Sequence, residues 1–150
     1  MILGLLANGT VLAAVLIVVA FVLSRFTRDI YGRSLLVVVL FVAALVYIVF
    51  AIRAGESAFW VAGEVVGVGI YGTMGFLGLR GSPWWLAAGW AAHPIWDVVL
   101  HYFGTGGSFA PVSYTIPCVS FDLLVGGYIA LAYGFGLVGD RRPSLQDTVV

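Results

Sequence analysis

Apolar residues run along this chain in long unbroken blocks, and polar residues punctuate them at intervals of about twenty. The stretch VLAAVLIVVAFVL, beginning at Val11, has no polar position at all. A transmembrane β-strand would alternate apolar and polar residues, so such blocks exclude a barrel. A helix needs roughly 20 mostly apolar residues to cross about 30 Å of hydrocarbon. Five segments meet this: Ile2–Leu23, Leu35–Ile52, Ala58–Leu79, Trp85–Phe103 and Pro117–Val138. The pattern predicts an all-α polytopic membrane protein, a five-helix transmembrane bundle over residues 1–138 with a short tail over 139–150. The first block lacks the basic start and small-residue cleavage site of a signal peptide, and is therefore read as a span.

Composition supports this reading. The 150 residues are 62% hydrophobic and 9% charged, with a mean hydropathy of +1.10, whereas soluble domains carry about 25% charged residues. The net charge is zero, which leaves no basic patch for nucleic acid. All seven basic residues are arginine, so Schiff-base chemistry on lysine is excluded. The single cysteine, Cys118, excludes an intrachain disulfide.

Arginine placement predicts orientation. Arg25, Arg28, Arg33, Arg80, Arg141 and Arg142 fall on one side of the five spans and only Arg53 on the other. Positive residues favour the cytoplasm, so the N-terminus is expected outside and the C-terminus inside, in a plasma or inner membrane. Membrane lipids are the expected surroundings and a lipid-soluble molecule the expected substrate. The glycines of the third span (Gly63, Gly67, Gly69, Gly72, Gly75, Gly78) and of the fifth (Gly126, Gly127, Gly134) predict close helix packing, with homo-oligomerisation as the alternative use.

Against this apolar background the ionisable residues within spans stand out: Glu64, His93, Asp97, His101 and Asp122. An acidic side chain at mid-span costs roughly 2.5–3.5 kcal/mol on insertion scales. At about 1.5 Å per residue, Glu64, Asp97 and Asp122 all lie about 8–9 Å from the same face. Asn8 and Tyr47 reach a similar level, and no arginine but Arg53 shares it. A bound cation, a proton or the histidines must neutralise the carboxylates.

The fourth span carries His93-Pro94-Ile95-Trp96-Asp97-Val98-Val99-Leu100-His101. Residues four apart share a helix face, so His93, Asp97 and His101 form one stripe. A histidine and a carboxylate at this spacing can ligate one ion. The two histidines are about 12 Å apart along the axis, so one ion cannot take both easily. The depths favour Asp97 with His101, completed by Glu64 and Asp122, over a site on His93 and Asp97. Glu64, Asp122 or His93 would then move protons. Pro94 frees the carbonyl of Trp90 and predicts a kink. The residues from Gly104 to Thr115 are glycine-rich and read as a flexible cover.

The string His-Pro-Ile-Trp-Asp-Val-Val-Leu-His resembles a helix of small prokaryotic integral membrane proteins of unknown function, a resemblance that implies no activity. Asp97-x3-His101 is also similar to the copper-ligand stretch in the membrane-embedded C subunit of methane and ammonia monooxygenases. That pattern needs a further histidine downstream, and this chain has none after His101. Three functions follow from the residues: a metal-dependent membrane protein holding zinc, copper or iron and acting on a lipid or small apolar substrate; a proton- or cation-handling transporter; or an accessory subunit of a membrane complex.

Overall fold

The structure is a computed structural model and describes residues 1–139; the expected tail therefore lies, except for Gly139, outside the described residues. The chain is all-helical, with five helices: α1 (Ile2–Phe26), α2 (Asp29–Arg53), α3 (Ala58–Arg80), α4 (Pro83–Trp96) and α5 (Val112–Gly134). Four of them, α1, α2, α3 and α5, are long and apolar enough to cross a membrane. The fourth is shorter because α4 passes at Asp97 into a wider π-type turn, Asp97–Tyr102.

Short connections fold consecutive helices antiparallel. One end of the bundle collects the start of α1, the end of α2, the start of α3, the π-type turn and the start of α5. The opposite end collects the α1–α2 and α3–α4 turns and the end of α5. Ser82 caps α4 by accepting from Trp84 N–H at 3.4 Å, with Pro83 in the first turn, where its missing N–H is no loss.

Boundaries differ from the hydropathy reading where polar residues join a helix. Helix α2 starts six residues earlier than expected, at Asp29. Asp29 is nonetheless buried, because Arg33 Nε pairs with it at 2.9 Å and the Tyr133 hydroxyl donates to it at 2.7 Å. Arg33 also donates to the carbonyl of Gly78 at 3.2 Å, tying α2 to the end of α3. Tyr133→Phe would leave one lone-pair set of a buried carboxylate unpaired, a loss of about 1–3 kcal/mol. It should lower the thermal midpoint in detergent, read by circular dichroism.

The second boundary change concerns α5, which starts at Val112 rather than Pro117 and ends at Gly134 rather than Val138. Pro117 lies inside this helix, a position that membrane helices tolerate where their surroundings compensate the lost bond. The expected flexible cover is correspondingly short and packed. It holds a tight turn at Thr105–Ser108, followed by Phe109 and Ala110, both buried against Tyr47 and Ala51.

The glycines divide sharply. A Cβ on Gly9 would meet the backbone of Pro117, one on Gly78 would lie 2.7 Å from Leu86 Cβ, and one on Gly67 would touch the Trp96 ring at 3.0 Å. Gly63, Gly69 and Gly127 have open space around them, so Gly63-x3-Gly67 is not a two-residue packing motif here. Between the two ends lies a largely apolar core that includes Leu36, Leu40, Trp90, Val125 and Ile129, none more than 1% exposed, together with Tyr71.

Candidate metal centre

Two helices bring to one point three side chains that could ligate a metal. His93 and Asp97 lie one turn apart at the end of α4, and Asp122 faces them from the middle of α5. One donor atom from each lies within 4.8 Å of the other two, and all three residues are 0% exposed. His93 Nδ1 is 2.9 Å from Asp122 Oδ2 and 3.5 Å from Asp97 Oδ2.

These distances decide what the cluster can hold. With bonds of about 2.0–2.2 Å, ligand atoms around a tetrahedral zinc stand roughly 3.3 Å apart. The His93–Asp97 separation suits that spacing, and the His93–Asp122 separation reaches it by opening a few tenths of an ångström. At 2.9 Å the latter is also a hydrogen bond, so a proton and an ion compete for the same histidine nitrogen. Both oxygens of Asp97, Oδ1 of Asp122 and Nε2 of His93 are buried without a hydrogen-bond partner among the described residues. Buried polar atoms are paired in nearly all native structures, and an ion held by the triad would satisfy several of them at once.

Glu64 and His101 form a second group. His101 Nε2 lies 3.4 Å from Glu64 Oε1, with both side chains at most 2% exposed, and the Trp96 indole N–H donates to Glu64 Oε2 at 3.4 Å. The favoured pairing of Asp97 with His101 is therefore corrected: Asp97 gathers with His93 and Asp122, and His101 turns to Glu64. The cause is the π-type turn, seen in the bond from Phe103 N–H to Val98 C=O at 2.9 Å. A turn closed by i→i+5 bonds takes more residues than an α-turn, so four residues after Asp97 no longer complete it. His101 consequently leaves the His93–Asp97 stripe. Nothing in the sequence marks this extra residue except its position just after Pro94.

Tyr47 of α2 joins the two groups. Its ring stacks flat on His101, with centroids 4.1 Å apart at 7°, and lies 6.2 Å from His93. Tyr47, Glu64, Tyr71, His93 and Trp96 pack around one point with no room for a water molecule between them. Tyr71 and Trp96 carry no functional expectation from the sequence; aromatic composition alone does not distinguish a side chain packed on the ionisable residues from one in lipid contact.

The other candidates differ in their distance from the triad. Cys118 is buried and outside the group of three, but its thiol lies beside Asp97; it also lines an apolar crevice between α1, α2 and α5 together with Asn8. Asn8 itself is exposed and does not reach the ionisable layer. Arg53 is also exposed and supplies no inward cation.

The model of a family of unknown function, DUF6010, matches residues 9–135. The chain belongs to this family. The matched segment contains Glu64, His93, Asp97, His101 and Asp122. No curated protein and no solved structure matches the chain.

Proposed function

We propose that this member of DUF6010 is a five-span membrane metalloprotein holding one divalent ion on His93, Asp97 and Asp122. The observation that carries the reading is the convergence of three fully buried donors, one nitrogen and two carboxylates, from two helices. Three protein ligands leave a fourth position open, as catalytic zinc sites do. That suits activation of water or polarisation of a substrate oxygen. Glu64 and His101, paired at 3.4 Å beside the triad, would handle the protons of such a reaction. The apolar surroundings fit a small or lipid-soluble substrate.

Arginine distribution supports the orientation within this reading. Arg25, Arg28, Arg33 and Arg80 lie at the end of the bundle away from the centre, with Arg53 alone at the other. The N-terminus then faces outward, the centre sits in the outer half of a plasma or inner membrane, and the C-terminus is cytoplasmic. Transport is the weaker reading because the packed side chains of Leu36, Leu40, Trp90, Val125 and Ile129 fill the inner half.

The test is elemental analysis of detergent-purified protein, followed by cobalt titration of the stripped form. About one zinc, iron or copper per chain and a visible cobalt spectrum are expected. Ligands must lose protons to bind, so cobalt affinity should rise with pH and each binding event should release a proton. A protein that neither retains an ion nor gives a cobalt spectrum would end the metal reading.

A further inference from the structure

The crevice between α1, α2 and α5 holds about 420 Å³, within the roughly 300–1,000 Å³ of small-molecule sites. Its shape follows from side-chain size. Gly9, Ala43 and Cys118 make a buried floor of small residues, and Leu12, Val39, Val42 and Phe121 stand around it. The Tyr114 hydroxyl donates to the Ala43 carbonyl at 3.1 Å, which joins the α5 wall to the α2 wall. Leu12 and Val42 are 59% and 49% exposed and belong to two of the helices long and apolar enough to cross a membrane. The crevice therefore opens sideways, onto lipid. Asn8 and Ser113, the exposed polar side chains of its lining, lie in the first two turns of α1 and α5. No charged side chain lines it among the described residues.

We propose that this crevice binds one acyl chain of a membrane phospholipid, which enters from the bilayer and places its ester carbonyls at Asn8 and Ser113. The amide N–H groups and the hydroxyl are donors and ester oxygens are acceptors, so the uncharged rim matches an ester rather than a carboxylate. Leu12, Val42 and Phe121 then flank the chain. Water is a poor occupant, because a buried water needs two to four polar partners and the Tyr114 hydroxyl is already given to Ala43. An empty groove would forfeit the dispersion contacts of its walls, and a flexible chain from the surrounding bilayer restores them. Hydrocarbon moves here from hydrocarbon, so expulsion of water contributes nothing. Packing on the walls and the two polar side chains at the rim retain the lipid.

The site deepens the reading of a lipid-soluble substrate and rests on it. Cys118 forms part of the floor, and its thiol lies beside Asp97. One side chain thus separates the bound lipid from a candidate ligand of the metal centre. The substrate class this placement serves is an acyl ester lipid.

The test uses phosphatidylcholine with a diazirine midway along one acyl chain, titrated into metal-free protein in detergent and cross-linked by light. Labelling should saturate at one lipid per chain, and peptide mass spectrometry should place it on the crevice segments of α1, α2 and α5. Leu12→Trp and Val42→Trp fill the groove from positions exposed enough to leave the bundle folded. Each should weaken labelling by at least about tenfold, equivalent to about 1.4 kcal/mol. Labelling that does not saturate, that spreads over the exposed face of α3, or that survives both substitutions would overturn the site. Unlabelled phosphatidylcholine should compete and oleate should not; competition by oleate at equal concentration would overturn the assignment to an ester. Because the protein is metal-free, saturable labelling in a chain that retains no ion would sink the metal reading alone, and retained metal without such labelling would sink the lipid site alone.

Discussion

Asp122→Asn should leave the bundle folded and strip its centre, with metal affinity falling by more than about 100-fold. The asparagine is nearly isosteric and its carbonyl oxygen can still accept from His93, so the link between α4 and α5 survives. What is lost is one of two anionic donors in the proposed three-ligand set. Substitutions of outer-shell partners alone typically cost 10–100-fold in metal affinity, and loss of a ligand exceeds that. The measurement is competitive titration of cobalt or zinc on stripped protein, with circular dichroism as the control for folding. His93→Ala should behave differently. It removes the one basic group placed against both Asp97 and Asp122, and breaking a buried pair costs about 3–5 kcal/mol. That variant should lose stability as well as metal. An Asp122→Asn protein that keeps its ion at full affinity would move the ion away from the triad.

A second large effect is expected at a glycine with no chemistry. Gly9 lies where α1 crosses α5, and a methyl group there would run into the carbonyl oxygen of Pro117 and the hydroxyl of Ser120. That carbonyl is backbone and cannot swing aside. The same contact is reinforced by the Ser120 hydroxyl donating to Leu6 C=O at 2.7 Å. Gly9→Ala must therefore separate the two helices, at an overpacking cost of about 1–3 kcal/mol. Gly63→Ala is the paired control. It has open space around it, and replacing a mid-helix glycine by alanine gains roughly 0.5–1 kcal/mol. Thermal unfolding of both variants in one detergent should move in opposite directions. A neutral Gly9→Ala would mean that the α1–α5 contact is looser than the structure has it.

Hydropathy located all five helices, because lipid demands long apolar segments with internally satisfied backbones. It erred at helix boundaries. Asp29 was read as loop because a lone carboxylate belongs in water, yet Arg33 and Tyr133 let it start α2 inside the bundle. Pro117 was read as a helix start, yet α5 runs through it. Gly63 and Gly67 looked equivalent in spacing, but only Gly67 faces a neighbour. A one-dimensional pattern gives the interval between two small residues, not the direction in which they point.

The five ionisable residues of the centre were legible from the sequence alone, because each stands out against a hydrocarbon-like background where its burial carries a cost. Their grouping was not. Regular helical spacing put His101 with Asp97, and a single wider turn after Pro94 sent it to Glu64 instead. Helix register is set by which carbonyl each N–H reaches, and that choice depends on packing against α3 and α5. Composition therefore determined that this chain keeps charge inside an apolar bundle. Tertiary structure decided which charges meet, since distances of 2.9 and 3.4 Å between residues 29 and 37 positions apart arise only when separate helices close on one another.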